Sequence, residues 1–280
     1  MIGRGLMKRI LTFALLSFIP FFVVFIFFII YPLAASLSMM FMNPEVITEL
    51  FSDELYIRAF YNTLVFVGVA IPLKLTAALF LSGFLSHFRK YSIVKVVGVL
   101  YLLPWALPAV PAALSFRWSL NYDFGLFNKF LTDLGLPKIP WLLTYPTAMA
   151  SIIIFHVWKW LPQWTLLLYA GRQSIPDELY EAAKIDGASL WSSFTDITFP
   201  LLKKLFVICM VLSSIWSIGE FEAIWLVTMA GPNQATHTIT TLGFNEVFQF
   251  GNFVKGVSVY MSVLPLISAL LLVLIMLFRR

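Results

Sequence analysis

Apolar runs about as long as a bilayer-spanning helix recur along the chain, at 10–31, 62–84, 93–119, 147–170, 205–229 and 257–278, with most of the charge in the segments between them. Some 20 apolar residues are what a helix needs to cross the hydrocarbon of a bilayer. The pattern therefore predicts an all-α membrane protein of six transmembrane helices with both termini on one side. The first run follows Arg4, Lys8 and Arg9, is longer than a signal-peptide core and has no small-residue cleavage site after it, so it reads as a retained helix. The connections 32–61, 120–146 and 230–256 have room for short helices and turns, Gly231-Pro232-Asn233 being a turn signal. None is long enough for a second folded domain, and 1–280 reads as a single transmembrane domain.

Composition sharpens this reading. With 60% hydrophobic and 12% charged residues the chain is far more apolar than a soluble domain, which carries about 25% charge. Cys209 is the only cysteine, which excludes an intrachain disulfide. The basic residues set an orientation. Arg4, Lys8, Arg9, Arg89, Lys90, Lys95, Arg172, Lys184, Lys203, Lys204, Arg279 and Arg280 fall on one side; Arg58, Arg117, Lys129, Lys138 and Lys255 fall on the other; Lys74 and Lys159 lie inside runs. The positive-inside rule places the first group, and both termini, in the cytoplasm. The net charge of +5 then expresses topology and implies no nucleic-acid partner.

The segment from Pro176 to Pro200 is a charged, helix-prone island between two apolar runs. Pro176 suits a first helical turn, Asp177, Glu178 and Glu181 complement the positive end of a helix dipole, and Gly187 permits a tight turn or close approach of another backbone. Pro200 is expected to end a second short helix before the next run begins. A Glu on a short helix beside Ala182, Ala183 and Ala188 is shaped to enter a groove on another protein; the alternative is an ordinary charged connection.

The order Gln173-Ser174-Ile175-Pro176-Asp177-Glu178-Leu179-Tyr180-Glu181-Ala182-Ala183-Lys184-Ile185-Asp186-Gly187-Ala188, followed by Phe194, Ile197 and Pro200, resembles the EAA loop of ATP-binding-cassette importer permeases, nearly position by position in their carbohydrate-uptake branch. Phe199 stands where that family usually has Leu. Asn62-Thr63-Leu64, Trp158-Lys159 and Ile224-Trp225-Leu226-Val227-Thr228 before Ala230-Gly231-Pro232 are also similar to the larger-permease type of maltose and glycerol-phosphate importers, so the resemblance runs from about residue 55 to the end. It implies a multi-pass permease of a prokaryotic plasma membrane. The partners would be a second homologous permease, two ATPase subunits gripped through 174–203, an extracytoplasmic solute-binding protein, membrane lipid and a sugar-like substrate. Glu181, Ala182, Ala183, Asp186, Gly187, Ala188 and Pro200 would form the ATPase-coupling element. The chain has no phosphate loop of the form Gly, four residues, Gly-Lys-Ser/Thr, so ATP and Mg would be bound by the partner ATPase and this chain would hold no cofactor.

Two runs carry polar stripes. His156, Lys159, Trp160 and Gln163 fall at i, i+3, i+4 and i+7, as do Ser213, Trp216, Ser217 and Glu220. Each set is expected on one helical face. A charged side chain at bilayer depth costs roughly 2.5–3.5 kcal/mol and usually faces a cavity or a partner. Hydroxyl, amide and indole groups around an apolar cavity suit a polyhydroxylated ligand, and in the family the runs beside the EAA loop line the solute cavity. Lys159 and Glu220 are expected to pair across the path in at least one transport state. Lys74 has no partner visible in the sequence, and Trp141, Trp164 and Trp191 read as interface or packing aromatics. A proton-coupled secondary transporter using Lys74, Lys159 and Glu220 is the alternative, but it gives no reason for an Ala-rich, Gly-kinked loop. A membrane enzyme would need a catalytic constellation; His87, His156 and His237 lack metal-ligand spacing, so no catalytic or metal-binding residues are expected.

Overall fold

The computed structural model describes residues 4–279, without the side chains of 4–11, 14 and 95. The charges of Arg4, Lys8, Arg9, Lys95 and Arg280, used for orientation above, lie outside the described residues. Every regular element among the described residues is a helix. In chain order these are α1 (Arg4–Phe25), α2 (Tyr31–Met42), α3 (Pro44–Leu50), α4 (Glu54–His87), α5 (Ser92–Tyr101), α6 (Leu103–Ala106), α7 (Ala109–Ser119), α8 (Leu126–Asp133) and α9 (Tyr145–Gln173), followed by α10 (Asp177–Ile185), α11 (Leu190–Ser193), α12 (Phe199–Ile218), α13 (Glu222–Thr228), α14 (Ile239–Phe244), α15 (Phe253–Met261) and α16 (Leu264–Arg279).

Four helical stretches are long and apolar enough to cross a membrane: Leu15–Met42, Glu54–His87, Leu190–Ile218 and Phe253–Arg279. The bent pair Ser92–Ala106 and Ala109–Ser119 makes five if taken as one span. The 29-residue α9 is as long, but Ser151, His156, Lys159, Gln163 and Thr165 make it more polar.

Three expectations are corrected here. The 93–119 run is not one straight helix but turns by 94° at residues 107–108. Pro108 forces Leu107 into extended backbone (φ −64°, ψ 139°) and cannot donate to the preceding turn. The 205–229 run is displaced: its helix starts at Leu190 and stops at Ile218, with α13 beyond a break at Gly219–Phe221. Pro200 ends nothing. The helix passes through it by widening into a π-turn at Phe194–Thr198, where the Phe199 N–H reaches back to the Phe194 carbonyl.

The chain divides into two compact units, Met1–Asp53 with Gly243–Ser262 and Glu54–Leu242 with Val263–Arg280. In the first, α15 packs on α2 and α3. Gly256 is required there, because a Cβ would stand 2.4 Å from Val247 Cγ2 and 2.8 Å from the Gly243 carbonyl oxygen. Lys255 Nζ sits 2.8 Å from Asp53 Oδ2 and 2.9 Å from Glu246 Oε1, so a nearly buried carboxylate is matched by a cation.

The second unit is organised by α4 and α9, which pack along their length. One apolar cluster joins Phe66 and Ala70 to Ala113, Ile152, Phe155 and Ile224; the other joins Leu75 and Ala78 to Trp164, Leu168, Leu202 and Cys209. Between these layers the polar residues of α4, α9 and α12 come together.

Candidate functional site

A cavity of about 410 Å³ opens between α4, α9 and α12. Small-molecule sites usually measure about 300–1,000 Å³. Its walls are Lys74 from α4, His156, Trp160 and Trp164 from α9, Ser213, Ile215, Trp216 and Ser217 from α12, and Gly219 and Glu220 from the break beyond it. Six of the eight expected stripe residues therefore meet at one place. Lys159 and Gln163 do not line it. At 100° per residue the row 156, 160, 164 forms the cavity face, and 159 and 163 fall on its flank. Trp164, read as a packing aromatic, belongs to that row and lines the cavity.

Glu220 is also not on the α12 face, since that helix has ended two residues earlier. It comes inward because the break turns it there. Its Oε1 accepts the Ala223 N–H at 3.0 Å, capping the start of α13, and its Oε2 lies 2.9 Å from His156 Nδ1.

His156, 3% exposed, is the centre of a buried line of charge. Lys74 Nζ stands 2.9 Å from His156 Nε2. With Lys74 an ammonium, which can only donate, Nε2 is assigned as the accepting nitrogen and Nδ1 as the one whose proton goes to Glu220. Ser217 Oγ is 3.3 Å from the same Nε2, and the Phe66 ring meets the imidazole edge-on at 4.9 Å. Sequence reading left Lys74 without a partner; its partner is 82 positions away, and the price of a charge at this depth was the available signal.

In this structure Lys159 and Glu220 are not paired. Lys159 Nζ donates to the carbonyls of Pro104 at 2.9 Å, of Trp105 at 3.1 Å and of Leu107. These are the groups that the break at Pro108 leaves without helical donors, so the side chain turns to α6 while His156 takes the carboxylate. Gln163 Oε1 and Ser213 Oγ are buried without a hydrogen-bond partner.

Beside the cavity, Asn62 Nδ2 donates to the carbonyls of Ala235 at 2.8 Å and His237 at 2.7 Å while its Oδ1 accepts from Tyr145, and Thr63 Oγ1 accepts the Ile239 N–H. Thr240 Oγ1 donates to the Glu220 carbonyl at 2.6 Å. The 235–240 segment is thereby fastened to α4 and to the residue that ends the charge line. In the sequence Asn62 and Thr63 stand out only through the family resemblance.

The 174–203 segment is a separate surface. No residue of α10 is buried, and Ile185, Leu190 and Trp191 are 87%, 75% and 66% exposed. Pro176 caps α10, and Asp177 and Glu178 occupy its first turn as expected. Gly187 has φ +80° and nothing within 4 Å of where a Cβ would stand. Its turn is closed by the Ala188 N–H on the Ala183 carbonyl at 2.8 Å. Glu181, Ala182 and Asp186 are exposed and Ala183 and Ala188 half-buried. Arg89 reaches from beyond α4 to Asp177 and Gln173, both at 2.5 Å, and the Tyr180 hydroxyl lies 3.0 Å from Thr198 Oγ1.

Comparison with known proteins matches residues 3–280 to the family described as "Binding-protein-dependent transport system inner membrane component". The chain is 37% identical over 211 residues, 75% of its length and 70% of the relative's, to the trehalose/maltose transport system permease protein MalF of Thermococcus litoralis. It is 32% identical over 209 residues, 74% of its length and 67% of the relative's, to the sulfoquinovosyl glycerol transport system permease protein SmoG of Agrobacterium fabrum. In fold it is similar to a chain of a bacterial ABC transporter involved in the import of the acidic polysaccharide alginate, with a TM-score of 0.82 at 22% identity over 99% of this chain and 96% of that one.

Proposed function

The chain belongs to the family of binding-protein-dependent transport system inner membrane components, and we propose that it is the permease subunit forming half of the translocation path of an ATP-driven importer for a sugar or related polyhydroxylated solute. In this reading six spans cross the membrane: the four long apolar helices, the bent 92–119 pair and α9. Both termini and the 174–203 segment face the cytoplasm. A second permease completes the path, an extracytoplasmic binding protein delivers the solute, and two ATPase subunits hold ATP and Mg. The chain itself is not an enzyme.

The observation that carries the reading is the exposed α10 with its open Gly187. An acidic first turn, small Ala182 and Ala183 and the bare apolar side chains Ile185, Leu190 and Trp191 form a knob of the kind that seats in a groove on another protein. Glu181, Asp186, Gly187 and Ala188 lie on that knob, and Pro200 on the helix that leads away from it. The cavity of His156, Trp160, Ser213, Trp216, Ser217 and Glu220, with Lys74 and Trp164 added, is the solute path, and Lys159 and Gln163 stand behind its wall.

Gly187→Leu tests the knob. Nothing in this chain lies within 4 Å of the added Cβ, so the variant should insert in the membrane, but it should lose ATPase co-purification and uptake because a branched side chain blocks the partner's approach and the left-handed φ disfavours it. Retained ATPase binding with normal uptake would refute the coupling role. Uptake that survives loss of the ATPase and collapses with a protonophore would return the proton-coupled alternative. Reporters fused after Lys90 or Lys203 should be cytoplasmic and those near Asp53, Asp133 or Gln234 extracytoplasmic; a cytoplasmic signal at Gln234 would break the six-span topology.

A further inference from the structure

Three ionisable side chains line the cavity, Lys74, His156 and Glu220, joined by hydrogen bonds; with Lys74 an ammonium and Glu220 a carboxylate, those contacts set the tautomer of the ring between them. Lys74 donates to His156 Nε2, which is therefore unprotonated, and His156 Nδ1 donates to Glu220. The line runs cation, neutral ring, anion, and its formal charge is zero. An arriving carboxylate, sulfonate or phosphate would find no uncompensated cation among the lining side chains and would approach Glu220 as well as Lys74. An ion stripped of water without a matching partner is costly.

What the cavity does leave free suits neutral hydroxyls. Ser213 Oγ is fully buried on the cavity wall and has no hydrogen-bond partner. Lys74 spends one N–H on His156 and lies 5.8 Å from the centre of the Trp164 ring, leaving donors that no described hydrogen bond uses. Trp160, Trp164 and Trp216 add flat apolar faces for the C–H side of a sugar ring. We propose that the Lys74–His156–Glu220 line makes this cavity selective for uncharged saccharides over saccharides bearing an anionic group, with Lys74 and Glu220 as the specificity-determining pair. The inference rests on the importer reading above and narrows its substrate class.

Because the binding protein also selects, the test is made on the purified transporter complex without it. Intrinsic tryptophan fluorescence is titrated with maltose, trehalose and cellobiose, and with digalacturonate and glucose 6-phosphate. At least one neutral disaccharide should give a saturable change, with both anionic probes at least tenfold weaker. Glu220→Gln keeps an acceptor for His156 but leaves Lys74 unbalanced, so the gap should close by tenfold or more. Lys74→Gln unbalances the line in the opposite sense and should weaken the anionic probes further, which keeps the test usable if Glu220→Gln does not assemble. Anionic probes that bind the unaltered complex as tightly as the neutral ones, or a gap that neither variant moves, would overturn the selectivity while leaving the importer reading intact. No saccharide response of either kind would remove the sugar cavity itself and this inference with it.

Discussion

Lys74 on α4 and Lys159 on α9 are 1% and 3% exposed, each an ammonium among apolar helices, yet the first ends at an imidazole backed by a carboxylate and the second at peptide carbonyls. The first is compensated by a full charge two hydrogen bonds away, through the His156 ring, and so can face a cavity. The second is compensated by the partial negative charge at the C-terminal end of α6, where carbonyls lack helical donors. One arrangement leaves spare N–H donors beside the cavity on an ammonium whose charge is already balanced, and the other spends the ammonium in holding the backbone. A buried charge is thus a sign of function only once its partners are known.

The largest effect that would break this contrast comes from Lys159→Met. Three carbonyls at the end of α6 would lose their donor, at up to about 1–3 kcal/mol for each group left unsatisfied, so the variant should assemble poorly and unfold at lower temperature in detergent. An unchanged unfolding midpoint would mean that Pro108 alone holds the bend.

A pair of double-mutant cycles sharpens the contrast. Lys74→Met with Glu220→Gln should show a coupling of about 1–3 kcal/mol, because both belong to one hydrogen-bonded line, whereas Lys159→Met with Glu220→Gln should add to within about 0.5 kcal/mol. The reverse result would restore the Lys159–Glu220 pair that the stripes suggested. The smallest effect belongs to a third cation. Arg89 meets Asp177 at 2.5 Å, but the two side chains are 36% and 62% exposed. Arg89→Ala should cost less than about 1 kcal/mol of stability, read from the same thermal midpoints, and a larger loss would mean that water does not screen that contact.

The helical class and four long apolar stretches were readable because apolar length is a property of consecutive residues, although the one read at 205–229 lies at Leu190–Ile218. The cavity was half readable for the same reason: His156 and Trp160 recur at helical spacing on α9, as Ser213 and Ser217 do on α12. Lys74 escaped because its partner lies on another helix and leaves no mark in local spacing. Glu220 was found by the wrong argument, since the stripe that placed it assumes a helix that stops at Ile218. The bend at 107–108 was written in Pro104, Pro108 and Pro111, but the unbroken apolar run around them hid it. Which carbonyls that bend would orphan, and that Lys159 would answer them, depends on tertiary approach and not on sequence neighbours.

The continuity of Leu190–Ile218 has a mechanical consequence. This one rod of 29 residues begins beside the Gly187 turn and ends at the cavity with Trp216 and Ser217. At 1.5 Å per residue it is roughly 40 Å long, and tilting it by about 5° around its middle would carry each tip roughly 2 Å. Such a displacement exceeds the slack in the 3.3 Å contact between Ser217 and His156. A small angular input at the exposed end is therefore enough to make or break hydrogen bonds at the other, with no refolding between. The π-turn at Phe194–Thr198, the one departure from α geometry along the rod, lies almost at its exposed end, where softness would cost the far tip the least travel.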